Sequence, residues 1–256
     1  MADSPCSRSV ALHSPAARRP AGRVRLFPGF RRKDWDEHVG DLAEMADSPG
    51  FRALRDEIIE LAQPRSDDRV LDVGAGTGLL ALALAGEVKR VWAVDVSDAM
   101  CHHLETESAR LGLENLDVLR ANATSVPLPS ASLDLVVSNY CFHHLRHSDK
   151  DRALAEILRV LKPGGRLVFA DMMFRVGIVG QRNRAVVAGL VGRLLRRGPA
   201  GMLRIAKNAF RYLTGRWEQP AEVTWWEGAL ERAGFTDVSV RALEHEGGLA
   251  FARRST

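Results

Sequence analysis

Two hydrophobic periods alternate along this chain, and the changes between them mark its elements. Short apolar runs, most of them closed by a polar residue, occur at 70–73, 90–95, 116–120, 133–138 and 166–171. Runs of this kind fit strands buried on both faces of a parallel sheet. Between them apolar residues recur three and four apart. Trp35, Val39, Leu42, Ala43 and Ala46 share one helical face within 31–47, and Phe51, Leu54, Ile58, Leu61 and Ala62 a second that ends before Pro64. Leu79 to Ala85 starts a third helix, 98–111 a fourth ending at Gly112, and 151–161 a fifth with Leu154, Ile157, Leu158 and Leu161 on one face. Lys162-Pro163-Gly164-Gly165 stops the fifth, with glycine as its C-cap. A helix over 224–234 precedes a hairpin of 235–243 and 249–254 around 244–248. Strands alternating with helices predict an α/β fold.

Two stretches lie outside this pattern. Residues 1–30 are rich in Ser, Pro, Ala and Arg without an apolar period and are expected to be a disordered tail ahead of one domain over 31–256. Residues 175–220 mix Val, Leu and Gly with arginine and read as a basic helical cap insertion. Net charge sharpens that reading, because the overall +4 hides ten Lys/Arg and no acid over 175–216 against a net of −10 over 34–174. Met202, Ala206, Ala209, Phe210 and Leu213 face one way there, and Arg204, Lys207, Asn208 and Arg211 the other. This basic amphipathic helix is either a solvated cap or a peripheral contact with an anionic membrane through 201–214. Three cysteines without a CxxC give no zinc site or disulfide framework, no metal is expected, and a cytoplasmic location is the default.

The chemistry starts where the first strand ends. Asp72-Val73-Gly74-Ala75-Gly76-Thr77-Gly78 turns a strand into a helix through three glycines. Such a turn lets backbone approach a ligand and points free N–H groups at it. A dinucleotide fingerprint needs its third glycine at position 79, which is Leu79, so a nicotinamide enzyme does not fit. Asp95 closes the second strand 21 residues beyond Gly74, where a carboxylate can accept from two ribose hydroxyls.

This D-x-G-x-G-x-G turn, Asp95 and the run Arg159-Val160-Leu161-Lys162-Pro163-Gly164-Gly165-Arg166-Leu167-Val168-Phe169-Ala170-Asp171 resemble class I S-adenosylmethionine (AdoMet) methyltransferases of the ubiquinone/menaquinone-biosynthesis-like, small-molecule type. The resemblance is close over about 51–174 and resumes in the terminal hairpin. It implies a Rossmann-like three-layer sandwich, its seven-stranded, mostly parallel sheet having one antiparallel strand. It also implies that AdoMet is bound and S-adenosylhomocysteine released. Asp72, Gly74, Ala75, Gly76 and Gly78 would surround the methionine part, Asp95 the ribose, and Val96 and Met100 the adenine or ribose. Asn122 and Ala123 replace the acid-containing triplet usual at the adenine, and the Asn122 oxygen would accept from the adenine amine. Ser138 and Asn139 begin the segment that floors the pocket between cofactor and acceptor. His143 and His144 follow as alternative general bases, a role suited to imidazole near neutral pH.

The same segment narrows the acceptor. Ser138-Asn139-Tyr140-Cys141 lacks the prolines of enzymes that methylate nucleic-acid amines, and Cys141 lacks the proline that precedes a cytosine-methylating cysteine. The resemblance implies a small, hydrophobic acceptor (a quinone, lipid or natural product, methylated on O, N or C), and the absent prolines are in keeping with it. The alternatives are a non-catalytic, AdoMet-binding regulatory subunit and an RNA methyltransferase using the basic cap.

Overall fold

The computed structural model describes residues 35–174, 181–196, 198–199, 202–203, 219–243 and 246–256. The expected tail at 1–30 and most of the basic stretch 201–214 lie outside these residues, as does part of the cap. Helices α1 (Val39–Ala46) and α2 (Pro49–Ala62) precede strand β1 (Arg69–Val73), α3 (Ala81–Ala85), β2 (Arg90–Asp95), α4 (Asp98–Leu111) and β3 (Leu116–Arg120). Then come β4 (Leu133–Asn139), α5 (His147–Val160), β5 (Leu161–Met172), α6 (Gln181–Leu195), α7 (Val223–Ala233), β6 (Phe235–Ala242) and β7 (Gly247–Arg254).

Among the described residues the strands form one seven-stranded sheet in the order β3-β2-β1-β4-β5-β7-β6. All pairs are parallel except those of β7, which runs antiparallel to both β5 and β6. Strand order reverses between β1 and β4, which makes their carboxyl ends the crevice where α/β sheets bind ligands. Apolar side chains leave the sheet alternately toward two cores. Leu71, Val73, Val136, Leu167 and Phe169 pack with Leu154, Ile157, Trp226 and Leu230 of α5 and α7. Val70, Val91, Val137 and Val168 pack on the other face with Ile58, Leu80, Leu84 and Leu104.

The helix ends follow local chemistry. Ser48 accepts from the Phe51 N–H with Pro49 at the first helical position, and Ser97 accepts from the Met100 N–H at 3.1 Å. Three boundaries differ from the sequence expectation. Helix α3 starts at Ala81 instead of Leu79, because Gly78 at φ +94 keeps the chain out of the helix until the Ala81 N–H meets Asp72 Oδ2. Helix α5 starts at His147, four residues early, where Asp149 in its first turn pairs with Arg146 and Arg152. It ends without a glycine cap: Leu161 is extended and fully buried and already belongs to β5. The Lys162–Gly165 stretch instead takes up a register shift, Leu133 pairing with Leu161 but Leu135 with Arg166. No helix among the described residues is long and apolar enough to cross a membrane.

Candidate functional site

At the carboxyl edge of the sheet the glycine loop is held by β2. The N–H groups of Gly74 and Ala75 both donate to the Val94 carbonyl, at 2.8 and 3.0 Å. The Gly76 N–H donates to Asp95 Oδ2 at 3.0 Å, and Asp95 Oδ1 takes the Ser97 N–H at 2.9 Å. One carboxylate thus fixes both the loop and the start of α4. Two glycines have distinct reasons to lack a side chain. A Cβ on Gly74 would run into the Cys141 side chain, so the loop and the segment after β4 are in direct contact. A Cβ on Gly76, at φ +52, would meet none of the described residues within 4 Å.

Asp72 lies beneath the loop, 2% exposed, with Oδ2 accepting from the Ala81 N–H at 3.1 Å. Burial pushes its carboxyl up to about 7 from 3.8, in spite of that N–H and with a further push from Asp95. A folded value above the unfolded one gives stability that is full below pH 3.8 and is lost as pH rises through about 7. Asp72→Asn is expected to remove that slope. Urea unfolding at intervals from pH 4 to pH 8 checks this, and an unchanged slope in the variant would refute it.

The other expected cofactor residues fall at the same edge. Met100 is buried at the start of α4, and Val96 is half-buried with its carbonyl accepting from Arg120 Nε at 3.4 Å. The Ala121 N–H donates to the Asp95 carbonyl at 2.9 Å, which brings Asn122 and the buried Ala123 to this edge. The Asn122 oxygen, however, already accepts from the Thr124 N–H at 3.0 Å and from its hydroxyl at 3.1 Å. Both lone pairs are engaged in a local turn, which leaves the side-chain NH₂ as the free polar group of Asn122. Ser138 is fully buried and donates its hydroxyl to the Val73 carbonyl at 2.7 Å, tying β4 to β1. Asn139 Oδ1 is buried with no hydrogen-bond partner among the described residues.

Beyond β4 the chain turns through Tyr140, at φ +53, into a single helical turn, Phe142–His144. An aromatic group gathers here. The Phe51 and Tyr140 rings lie 5.4 Å apart, Tyr140 and His143 5.9 Å, and His144 meets Trp35 at 4.5 Å. Burial, then Glu246 and Asp171, push the Tyr140 hydroxyl up, and burial pushes the Cys141 thiol up, away from a nucleophilic thiolate.

His143 and His144 differ sharply. His144 is exposed, whereas His143 is 5% exposed with Nδ1 2.6 Å from Oδ1 of the fully buried Asp171. Lys150, also fully buried, donates Nζ to the carbonyls of Leu145 and Gln219, both at 2.6 Å. Burial draws its ammonium down to about 8, against the opposing pull of Asp171, Asp149 and Asp151. The Gln219 N–H in turn donates to the His143 carbonyl at 2.7 Å.

Sequence reasoning missed Asp171, Trp35, Phe51 and Asp36, which accepts from the Ser97 hydroxyl and the Ala99 N–H. For Asp171 a signal was present. It closes an apolar strand just as Asp95 does. The contacts of Trp35, Phe51 and Asp36 are tertiary and carry no local pattern.

Comparison with known proteins agrees with this geometry. Residues 71–169 match the methyltransferase domain family. An uncharacterized methyltransferase of Bacillus subtilis is 36% identical over 114 residues, 44% of each chain. A ubiquinone/menaquinone biosynthesis C-methyltransferase of Vibrio vulnificus is 28% identical over 185 residues, 71% of this chain and 69% of that one. The fold resembles that of a Haemonchus contortus phosphoethanolamine N-methyltransferase solved with AdoMet, with a TM-score of 0.67, 16% identity and 86% of this chain covered against 57% of the other. The chain spans about half the length of several curated relatives it matches, 44% for the Bacillus protein and 54% for one from Geobacillus kaustophilus. The glycine loop and the strand-end acid both lie within the matched residues, and over 71–169 the chain is similar to the methyltransferase domain family.

Proposed function

We propose that the protein transfers a methyl group from AdoMet to a small, hydrophobic acceptor. The observation that carries this reading is the glycine turn at the switch point, where Asp95 holds the Gly76 N–H and a Gly76 side chain would meet none of the described residues within 4 Å. The residues present fit AdoMet. The space at Gly76 suits a ligand pressed against backbone, and the orphaned Asn139 Oδ1 is an acceptor for a donor such as its ammonium group. Gly74 to Gly78 would then hold the methionine part, and Asp95 would accept from the ribose. Val96 and Met100 would flank the adenosyl group, with Ala123 and the Asn122 NH₂ at the adenine. When bound, AdoMet supplies an electrophilic sulfonium methyl, so the chain has mainly to align the acceptor and exclude water.

The aromatic group of Phe51, Tyr140, Trp35, His143 and His144 supports an apolar, flat acceptor. The distant C-methyltransferase relative, named for ubiquinone and menaquinone biosynthesis, is in keeping with that size and character. The basic stretch 201–214 would bring the protein to an anionic membrane that holds such an acceptor.

Labelled methyl transfer from AdoMet into a cell extract, followed by organic/aqueous partition, tests the proposal. Label in the organic phase is the expected result, and label in RNA or protein would overturn the small-molecule reading. AdoMet binding without transfer to any extract would favour a regulatory subunit. Asp95→Ala is expected to weaken AdoMet binding by about 10- to 100-fold, since it removes a charged acceptor and the support of the loop. Calorimetric titration measures this, and an unchanged Kd would remove Asp95 from the site.

A further inference from the structure

We propose that His143 is the general base of this site, that Asp171 positions it, and that the acceptor is therefore a neutral nucleophile that must lose a proton. Such a group is a hydroxyl, an amine or an acidic C–H. The inference rests on the methyl-transfer reading and adds to it the class of atom methylated.

Three features of the pair carry the argument. Asp171 closes β5 at the carboxyl edge of the sheet, one strand from β4, whose extension bears His143. The 2.6 Å contact engages the imidazole at Nδ1, so a neutral ring donates there and carries its basic lone pair on Nε2. Nε2 has no hydrogen-bond partner among the described residues, while the ring lies edge-on to Tyr140 in the aromatic group. The Asp171 Oδ1 accepts from His143 and from the Met172 N–H at 2.9 Å, yet Oδ2 is buried without a partner among the described residues. A fully buried carboxylate with one oxygen unsatisfied is costly in the resting protein. The contact at Oδ1 fixes the ring so that Nε2 is the nitrogen left to accept a proton.

The step balances. The lone pair of an O–H or N–H acceptor, or the electron pair that an acidic C–H leaves on carbon as its proton is removed, forms a bond to the sulfonium methyl carbon, and the carbon–sulfur bond breaks with its electrons going to sulfur. The X–H proton passes to His143 Nε2, giving methylated acceptor, neutral S-adenosylhomocysteine and an imidazolium facing Asp171. His144 is the weaker choice because it is exposed and packs on Trp35. Other titratable groups around the pair are His144, whose ring lies 3.8 Å from that of His143, Tyr140 and Cys141 on the turn, Lys150 on α5, and Glu246 beside β7.

The test uses the full chain with ring-¹⁵N-labelled histidine, His143 being assigned by comparison with His143→Gln. In neutral protein the expected state is Nδ1 protonated and Nε2 bare. Asp171→Asn, whose NH₂ can donate to the ring, is expected to move the proton to Nε2. In both variants label transfer to a responsive extract should fall by about 10²–10⁴-fold, and the AdoMet Kd should stay within about twofold. The decline in rate toward acid pH should vanish in His143→Gln. A protonated Nε2 in the wild type, or transfer that His143→Gln leaves intact, overturns the dyad alone. Failure of the wild-type protein to bind AdoMet overturns the methyl-transfer reading as well. The ring measurement needs no acceptor, so a bare Nε2 held by Asp171 supports the proposal even where an extract supplies none.

Discussion

Gly76→Arg is expected to abolish AdoMet binding, weakening it at least about 100-fold, or about 2.7 kcal/mol, while the protein still folds. The backbone there is left-handed, φ +52, so any L side chain costs about 1–2 kcal/mol. The new Cβ itself meets none of the described residues within 4 Å, so their packing is undisturbed and the N–H bond to Asp95 survives. The arginine side chain must instead occupy the space proposed for the ligand, with a positive charge facing a positively charged sulfonium. Gly74→Ala, by contrast, drives a Cβ into Cys141 and tests folding instead of binding. Calorimetry with AdoMet beside a thermal melt separates the two. Retained affinity in Gly76→Arg would remove the glycine loop from the site.

Trp226→Ala is expected to cost about 3–5 kcal/mol, a large share of the roughly 5–15 kcal/mol of a typical domain. The Trp226 side chain is fully buried on α7, its ring 4.8 Å from Phe169 of β5 and 5.6 Å from Phe142. Phe142 directly precedes His143, so the cavity would open under the turn that carries the proposed base. Trp226→Phe should cost less, since it keeps much of the ring and deletes a buried indole N–H that has no hydrogen-bond partner among the described residues. Urea unfolding gives both values. A loss below about 1 kcal/mol for the alanine variant would mean that the cluster relaxes around the cavity.

Much of the fold was legible because it is written locally. Apolar runs of four to six residues gave β1 to β4, and Gly112 and Gly234 mark helix ends that the structure places in the left-handed region. The candidate cofactor side was legible for the same reason, since the glycine turn and Asp95 sit at the ends of such runs. What escaped was pairing across long separations. Asp171 meets His143 over 28 residues, and Arg166 meets Asp68 over 98, which no period reveals. The local bonds of the Asn122 oxygen escaped for the opposite reason: their donor, Thr124, lies only two residues away within a turn. Lys150 was passed over because the helix was expected to begin one residue later, yet it is buried on two carbonyls.

The two ends of the stretch between β5 and α7 are pinned by main-chain contacts close to each other in the fold. The Met173 N–H donates to the Glu246 carbonyl at 2.8 Å, and Gln219 is held by the His143 carbonyl and by Lys150. Loop closure grows only with the logarithm of length, about 0.6 kcal/mol for each doubling. Descendants of this sequence can therefore lengthen, shorten or exchange everything between those two anchors at little cost to the sheet. The glycine turn on the far side of the switch point has no such freedom. Under the proposed reading, new acceptor preferences would then arise by replacing that one stretch while the glycine turn is inherited unchanged.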